Sequence, residues 1–442
     1  MRATSKITRQ QREQWSSEPA FVFSMAAAAV GLGNLWRFPY MVGENGGAAF
    51  ILAYLICLLV VVLPMMMLEV GAGRLASGSS VQTYRQVNRF GTIYGWFVVL
   101  LTTVITSYYL VITGWTMGYA VDAWRGELRD FELFTEGYNS LWYFLVVVAL
   151  ATAILLRGVQ AIEKLSKVLM PALVLLIIFL VYNAAQTTGW EEARAFMTQA
   201  DFSRLTDQRL WFFALGQAFY TLAIGQGYLV TYGSYIPQKT NVPRACLVVA
   251  ATETSVALLS GWMIFPFVFT FDMSPDEGSA LAFSTMPVVF ENLAGGAWLG
   301  VLFFSLFFAA AFSSSLAGLK VVISAVAEEL HLRDRYAVLL VSLLMILLGI
   351  PSALSFSPME VSIGDMPFLD FMDQFGGTNV VIFSGITGVS LFCWFVPPSR
   401  LNSALGAKSN WWIWRIYAIG RALPFLVALW FIWTGLMRWV IG

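Results

Sequence analysis

The sequence predicts an all-α integral membrane protein of about eleven transmembrane helices. Of 442 residues, 58% are hydrophobic and only 12% charged, against about 45–50% and roughly 25% in soluble domains. Apolar runs of roughly 20 residues, enough to cross a hydrocarbon core of about 30 Å, recur along the whole chain. Open β-structure cannot satisfy its backbone in lipid, so the runs read as helices. The 26 Lys+Arg and 26 Asp+Glu are too few to cover a soluble protein of this size. That excludes a soluble enzyme, a nucleic-acid binder and a disordered chain. Cys57, Cys246 and Cys393 lie far apart in apolar runs and form neither a disulfide framework nor a metal spacing. The single histidine, His331, sits in the charged stretch EELHLRDR, which excludes a histidine metal centre.

The spans fall near residues 20–42, 48–70, 94–122, 141–156, 168–186, 210–236, 245–270, 298–327, 337–354, 367–396 and 411–438. Span 1 follows a basic segment with Arg2, Lys6, Arg9 and Arg12. The loop after span 2 carries Arg74, Arg85 and Arg89, and span 3 is followed by the acidic Glu127, Asp130, Glu132 and Glu136. Span 4 is short, and the loop after it carries Arg157, Lys164 and Lys167. Span 5 leads to Glu191 and Glu192. The loops after spans 6, 8 and 10 hold Lys239 and Arg244, then Arg333 and Arg335, then Arg400 and Lys408. Span 7 ends in Asp272, Asp276 and Glu277, and the last span has tryptophan-rich ends. Lys and Arg thus gather on one side and carboxylates on the other. The positive-inside rule puts the N-terminus in the cytoplasm and, with eleven spans, the C-terminus outside. A basic start before an Ala-rich run also has the layout of a signal peptide, but ten further spans and the polar cluster that follows favour a first span. With no long linker or low-complexity tract, residues 1–442 read as one polytopic domain of the cell inner (plasma) membrane.

The informative features are interruptions. Span 1 reads AAAAVGLGNLWRFPYMVGENGG, placing Gly31, Gly33, Asn34 and Arg37 at membrane depth. Span 6 reads FALGQAFYTLAIGQGYLVTYGSY, interrupted at Thr221, Gly225, Gln226 and Gly227. Unwound carbonyls can coordinate a cation, and half-helix N-termini favour an anion. Two breaks five spans apart fit inverted five-helix repeats, about 16–186 and 206–396, with helix 11 at about 411–438. Small residues also permit close helix packing, but packing does not account for Asn34 and Arg37.

Span 8 offers three successive hydroxyls, Ser313, Ser314 and Ser315. They suit a hard cation or bond back to the preceding turn; both readings stand. Of Tyr108 and Tyr109 in span 3, one can face inward with a hydroxyl suited to a carboxylate, or simply pack. Glu253 lies inside the apolar run of span 7. A carboxylate at membrane depth costs several kcal/mol unless compensated, which makes it a functional candidate, unless it lies nearer the cytoplasmic interface.

AVGLGNLWRFPYMVGENGGAAF (29–50) resembles the first-span signature of the neurotransmitter:sodium symporter family, especially its bacterial LeuT-like amino-acid members. RGVQAIEKLSKVLMPAL, TLAIGQGYLVTYGSY and LDFMDQFGGT also resemble family segments. The resemblance implies a LeuT-type inverted repeat with helices 1 and 6 unwound, and sodium-coupled amino-acid import by alternating access with two sodium ions. It puts the first sodium at the Ala29 carbonyl, the Asn34 side chain and Thr221. Glu253 falls where the family has Asn. The second sodium falls at Ala27, Val30, Ala310, Ser313 and Ser314. The substrate carboxylate would meet the amides of Leu32 and Gly33 and the Tyr109 hydroxyl. Its amine would meet carbonyls of Ala29, Tyr220 and Thr221. Ile105, Tyr220, Ala223, Gln226, Ser314 and Gly318 would wall the pocket, where small Ala223 and Gly318 leave room for a side chain larger than leucine. Monoamine-carrying relatives have Asp where this chain has Gly31, so a zwitterionic, hydrophobic or aromatic amino acid is expected.

The same resemblance implies an outer gate of Arg37 and Asp373, with Asp370 nearby and Tyr109 and Tyr220 as a lid. The inner gate would be Arg12 and Glu328, with Trp15 and Tyr235. Exposed pairs of this kind are worth only about 0–1 kcal/mol, so family position carries the assignment. Chloride-dependent relatives hold the anion with residues matching Tyr54, Gln217 and Thr221 and a Ser that falls on Ala257. Glu253 is expected to supply that negative charge here, making transport chloride-independent. A channel or regulatory membrane protein on the same scaffold is the alternative. An enzyme is not expected, for want of a nucleophile–base constellation. The oligomeric state is left open.

Overall fold

The computed structural model describes residues 14–237, 239–276, 283, 285–293, 295–406 and 410–441, without the side chains of 285, 378, 379 and 430–441. Thirteen helical segments build the transmembrane body. They are α1 (Glu18–Ala29), α2 (Gly33–Glu44), α3 (Ala48–Ala76), α4 (Gly91–Arg125), α5 (Asn139–Leu155), α6 (Val159–Ala184), α7 (Gln208–Thr221), α8 (Tyr228–Gly233), α9 (Val242–Thr270), α10 (Gly296–Glu329), α11 (Asp334–Ala353), α12 (Phe368–Phe395) and α13 (Trp411–Ile441). Among the described residues, eight helices are long and apolar enough to cross a bilayer. The pair α1/α2, bent by 52°, makes a ninth. The expected eleven requires the 17-residue α5 and the broken pair α7/α8 to cross as well.

Burial sorts these helices into layers. Of the apolar window of α4, 83% is buried, and of α10, 78%; α6 and α13 bury only 28% each. The first two are central. The last two turn Leu175, Ile178, Phe179, Leu426 and Leu429 outward, as helices facing lipid do. Proline explains two widened turns. Pro64 cannot donate to the helix ladder, and the turn before it opens so that the Leu63 amide donates to the Leu58 carbonyl. Pro39 has the same relation to the turn Gly33–Arg37. Glycine permits one crossing: a Cβ at Gly73 would lie 1.9 Å from the Val230 carbonyl oxygen, and one at Gly233 2.4 Å from that of Val70. Hence α3 and α8 touch backbone to backbone.

Several boundaries differ from the sequence reading. α6 begins at Val159, nine residues before the expected span, so Lys164 and Lys167 are helical rather than in a loop. Its first turns are amphipathic, and Glu163 and Lys167 pair across one turn at 2.6 Å, which hydropathy alone does not register. α4 gains about a turn at each end. Short helices occupy segments read as loops: Ser80–Arg85, Phe131–Thr135, Trp190–Thr198, Thr285–Asn292 and Pro398–Leu405. A two-residue antiparallel pair, Ser362–Ile363 with Met366–Pro367, is the one departure from all-α structure among the described residues.

Candidate functional site

The first break is shorter than its glycines suggested. Val30 turns extended (ψ 101°), and the helix resumes at Gly33 as a π turn. Two orphan amides find side chains: Gly31 donates to Asn34 Oδ1 (3.3 Å) and Leu32 to the Tyr109 hydroxyl (3.0 Å). The second break spans residues 222–227, with positive φ at Ala223, Gly225 and Gly227. Three other helices hold it. Glu69 of α3 accepts from the Gly225 amide (2.9 Å), Ser384 of α12 donates to the Gly225 carbonyl (2.6 Å), and Thr102 of α4 donates to the Gln226 carbonyl (2.5 Å). Glu69 and Ser384 escaped sequence reasoning, although a carboxylate in an apolar run was the available signal for Glu69.

Asn34, Glu253 and Thr221 converge between the breaks. Asn34 Nδ2 donates to Glu253 Oε1 (2.6 Å) and to the Glu253 carbonyl (3.1 Å). Thr254 donates to Oε2 (3.2 Å), and the Tyr54 hydroxyl lies 3.4 Å from Oε1. Glu253 is fully buried in the protein. The Thr221 hydroxyl sits beside Glu253 and Tyr54 yet makes no hydrogen bond of good geometry, an orphaned buried oxygen. The oxygen-only donor set suits a hard monovalent ion, and the described residues hold no His/Cys/Asp/Glu cluster of transition-metal type. Of the other chloride-site counterparts, Gln217 donates to the Gly33 carbonyl (2.9 Å). Ala257 is fully buried, and Ser260, one turn beyond, bonds the Asn34 carbonyl (2.6 Å).

The three serines divide their roles. Ser313 and Ser315 bond back to Ala310 and Ala311 (2.9 Å each). Ser314 reaches across to the carbonyls of Ala28 (2.9 Å) and Val30 (3.4 Å). The expected second-sodium residues Val30, Ala310, Ser313 and Ser314 are thus neighbours. Ala27 is buried nearby, and Ala28 joins them.

Between the breaks lies a cavity of about 40 Å³ lined by Ala29, Gly31, Gly33, Ile105, Tyr109, Tyr220, Thr221, Ala223, Gln226, Tyr228 and Ser314 with Ala28. Gly318 is not in that lining. A Cβ there would sit 2.5 Å from the Tyr228 hydroxyl and 2.4 Å from Thr106 Oγ1. The room expected beside Gly318 is filled by Tyr228. The cavity holds a few water molecules at most, so an amino acid must push its walls apart.

The gates also differ in detail. Arg37 and Asp373 form no ion pair within 4 Å among the described residues. Arg37 lies over the Tyr220 ring (4.5 Å) and donates to Tyr40 (3.3 Å), while Asp373 accepts from Tyr108 (2.8 Å). Both tyrosines of the pair therefore face inward. Asp370 is exposed one turn earlier. On the other side Trp15 is buried, its amide donating to the Tyr235 carbonyl (3.0 Å) and its indole to Tyr232 (3.1 Å). Tyr235 bonds Ser324 (3.0 Å), and Glu328 accepts from the Ser79 amide (2.7 Å). Arg12 lies outside the described residues.

A model of the sodium:neurotransmitter symporter family matches residues 12–138 and 132–434. The chain belongs to this family. It is 32% identical over 422 residues to an uncharacterized sodium-dependent transporter of Haemophilus influenzae, covering 90% of this chain and 92% of that one. Over 400 residues it is 33% identical to an uncharacterized sodium-dependent transporter of Bacillus subtilis, covering 87% and 88%. The solved structure of MhsT in complex with L-phenylalanine superposes with a TM-score of 0.86 at 32% identity, over 95% of this chain and 99% of that one. This symporter-family chain has the LeuT fold; it is a multi-pass membrane transporter that uses sodium, and not an enzyme.

Proposed function

We propose that the protein imports a zwitterionic amino acid with a hydrophobic or aromatic side chain, driven by two sodium ions and independent of chloride. The observation that carries this reading is the fully buried Glu253 carboxylate, bonded to Asn34 and facing Tyr54. A resident negative charge in a low-dielectric site offsets a bound cation without a co-transported anion. The first sodium would lie among Ala29, Asn34, Thr221 and Glu253, the second among Ala27, Val30, Ala310, Ser313 and Ser314. The Leu32 and Gly33 amides, with the Tyr109 hydroxyl, form a cradle for the substrate carboxylate at a helix start. Tyr220, Ile105, Ala223 and Gln226 wall the side chain, with Tyr228 added and Gly318 acting through it.

Gly31 supports an amino acid over a monoamine. A Cβ there would come within 2.4 Å of Ser314 Oγ and 2.7 Å of the Tyr109 hydroxyl, which leaves no space for an amine-pairing carboxylate. The phenylalanine bound to MhsT agrees with an aromatic side chain. The N-terminus would be cytoplasmic, Arg37, Asp373 and Asp370 would gate the outside, and Trp15, Tyr235 and Glu328 the inside. Uptake of labelled amino acids into proteoliposomes tests this. Transport that needs sodium and persists when gluconate replaces chloride is expected; loss of uptake without chloride, or inhibition by a monoamine and by no amino acid, overturns it.

A further inference from the structure

Lys320 of α10 is a buried charge that neither the proposed ion sites nor the gates use. It is 7% exposed, unusual for a lysine, which is almost never buried unless paired. None of the ion pairs among the described residues includes it. Its ammonium lies 5.5 Å from the centre of the Tyr235 ring, a contact that offsets part of its desolvation. Lys320 is seven residues after Ser313, two turns along the same helix face and about 10 Å further by helix rise. Ser324 and Glu328 continue this stripe one and two turns beyond, where they meet Tyr235 and Ser79. Lys320 therefore lies along α10 between the level of Ser313 and the Tyr235–Ser324 contact, with its ammonium against the Tyr235 ring. A charged group at this depth is a functional candidate by default.

We infer that Lys320 is a specificity and release determinant of the inner half-pathway: its fixed positive charge lowers the affinity of the second cation site, so that sodium leaves toward the inner gate and is disfavoured from returning. The inference rests on the sodium reading proposed above. With the helix rise of about 10 Å as the scale of the separation, two unit charges in a medium of effective dielectric about 20 repel enough to weaken binding about tenfold, and buried charges are screened little by salt.

The test is a titration of the purified full chain with sodium chloride, choline chloride holding ionic strength constant, with melting temperature as the readout. Lys320→Gln is expected to move the sodium midpoint about tenfold lower, and Lys320→Arg, which keeps the charge, to stay within twofold of wild type. Damage to the fold weakens binding, so a tighter midpoint has no merely structural origin. Lys320→Met retains the apolar stem and serves if the Gln variant fails to fold. A midpoint in both neutral variants that is unchanged within twofold, or higher than wild type, overturns the inference. A wild-type protein whose melting ignores sodium overturns the sodium sites themselves, a separate failure.

Discussion

Replacing Glu253 by Gln keeps the shape and, with its oxygen at the Oε1 position, the acceptor that Asn34 uses; it removes the charge and turns the group facing Thr254 from an acceptor into an amide donor. In the structure Oε1 lies 2.6 Å from Asn34 Nδ2, and Asn34 Oδ1 is the other face of the same amide. A sodium ion held by Asn34 and Thr221 would sit beside this carboxylate, at a charge separation on the order of 4 Å. At an effective dielectric of about 20 that separation corresponds to about 4 kcal/mol of attraction. The Asn34 bond must rearrange to admit the ion, and taking about half as the net leaves ~2 kcal/mol, roughly a thirtyfold loss of sodium affinity. The assay is the sodium dependence of amino-acid uptake in proteoliposomes, with the melting curve as a check of folding. The variant is expected to need about thirty times more sodium and to respond to chloride where wild type does not. A folded Glu253→Gln protein with an unshifted sodium midpoint refutes the charge-balance reasoning.

Other expectations follow from single contacts. Gly318→Ala drives a methyl into Tyr228 and Thr106, an overpacking of about 1–3 kcal/mol; uptake should fall, and Tyr228→Phe in the same chain should restore part of it. Glu69→Ala leaves the buried Gly225 amide without its acceptor, costing about 1–3 kcal/mol; melting should show the loss, with Glu69→Gln much milder. Gly73→Ala places a Cβ 1.9 Å from the Val230 carbonyl oxygen and should abolish the monodisperse peak in size-exclusion chromatography. Trp15→Ala removes a buried ring wedged against Tyr232 and Tyr235, and labelling of Tyr235→Cys by a membrane-impermeant reagent from the side of the N-terminus should become faster.

The sequence made legible what depends on one segment at a time. Scarcity of charge set the class, glycines marked both breaks, and a carboxylate inside an apolar run singled out Glu253. Contacts across segments were not legible. Nothing local to Gly318 says that a tyrosine ninety residues earlier fills the space beside it. The pairing of Tyr108 with Asp373, rather than Arg37 with Asp373, depends on how α4 meets α12. The choice of the Ala28 carbonyl by Ser314 depends on the rotation of α10. The early start of α6 escaped because its first turns carry Lys164 and Lys167, and a hydropathy average cannot distinguish an amphipathic helical turn from a loop.

The stretch 222–227 has a consequence beyond the site it borders. Its peptide groups are gripped by Glu69, Ser384 and Thr102 from three separate helices, so the centre of the sixth span is a pivot rather than a slack joint. The helical arms on either side end at Thr221 and resume at Tyr228, so both start from a held piece of backbone. Ala223 and Gln226, which line the cavity, lie within this held stretch, between the arms that carry Tyr220 and Tyr228. Because the three bonds grip backbone groups of Gly225 and Gln226, a changed side chain at Ala223 or Gln226 alters the pocket wall while the grip stays made.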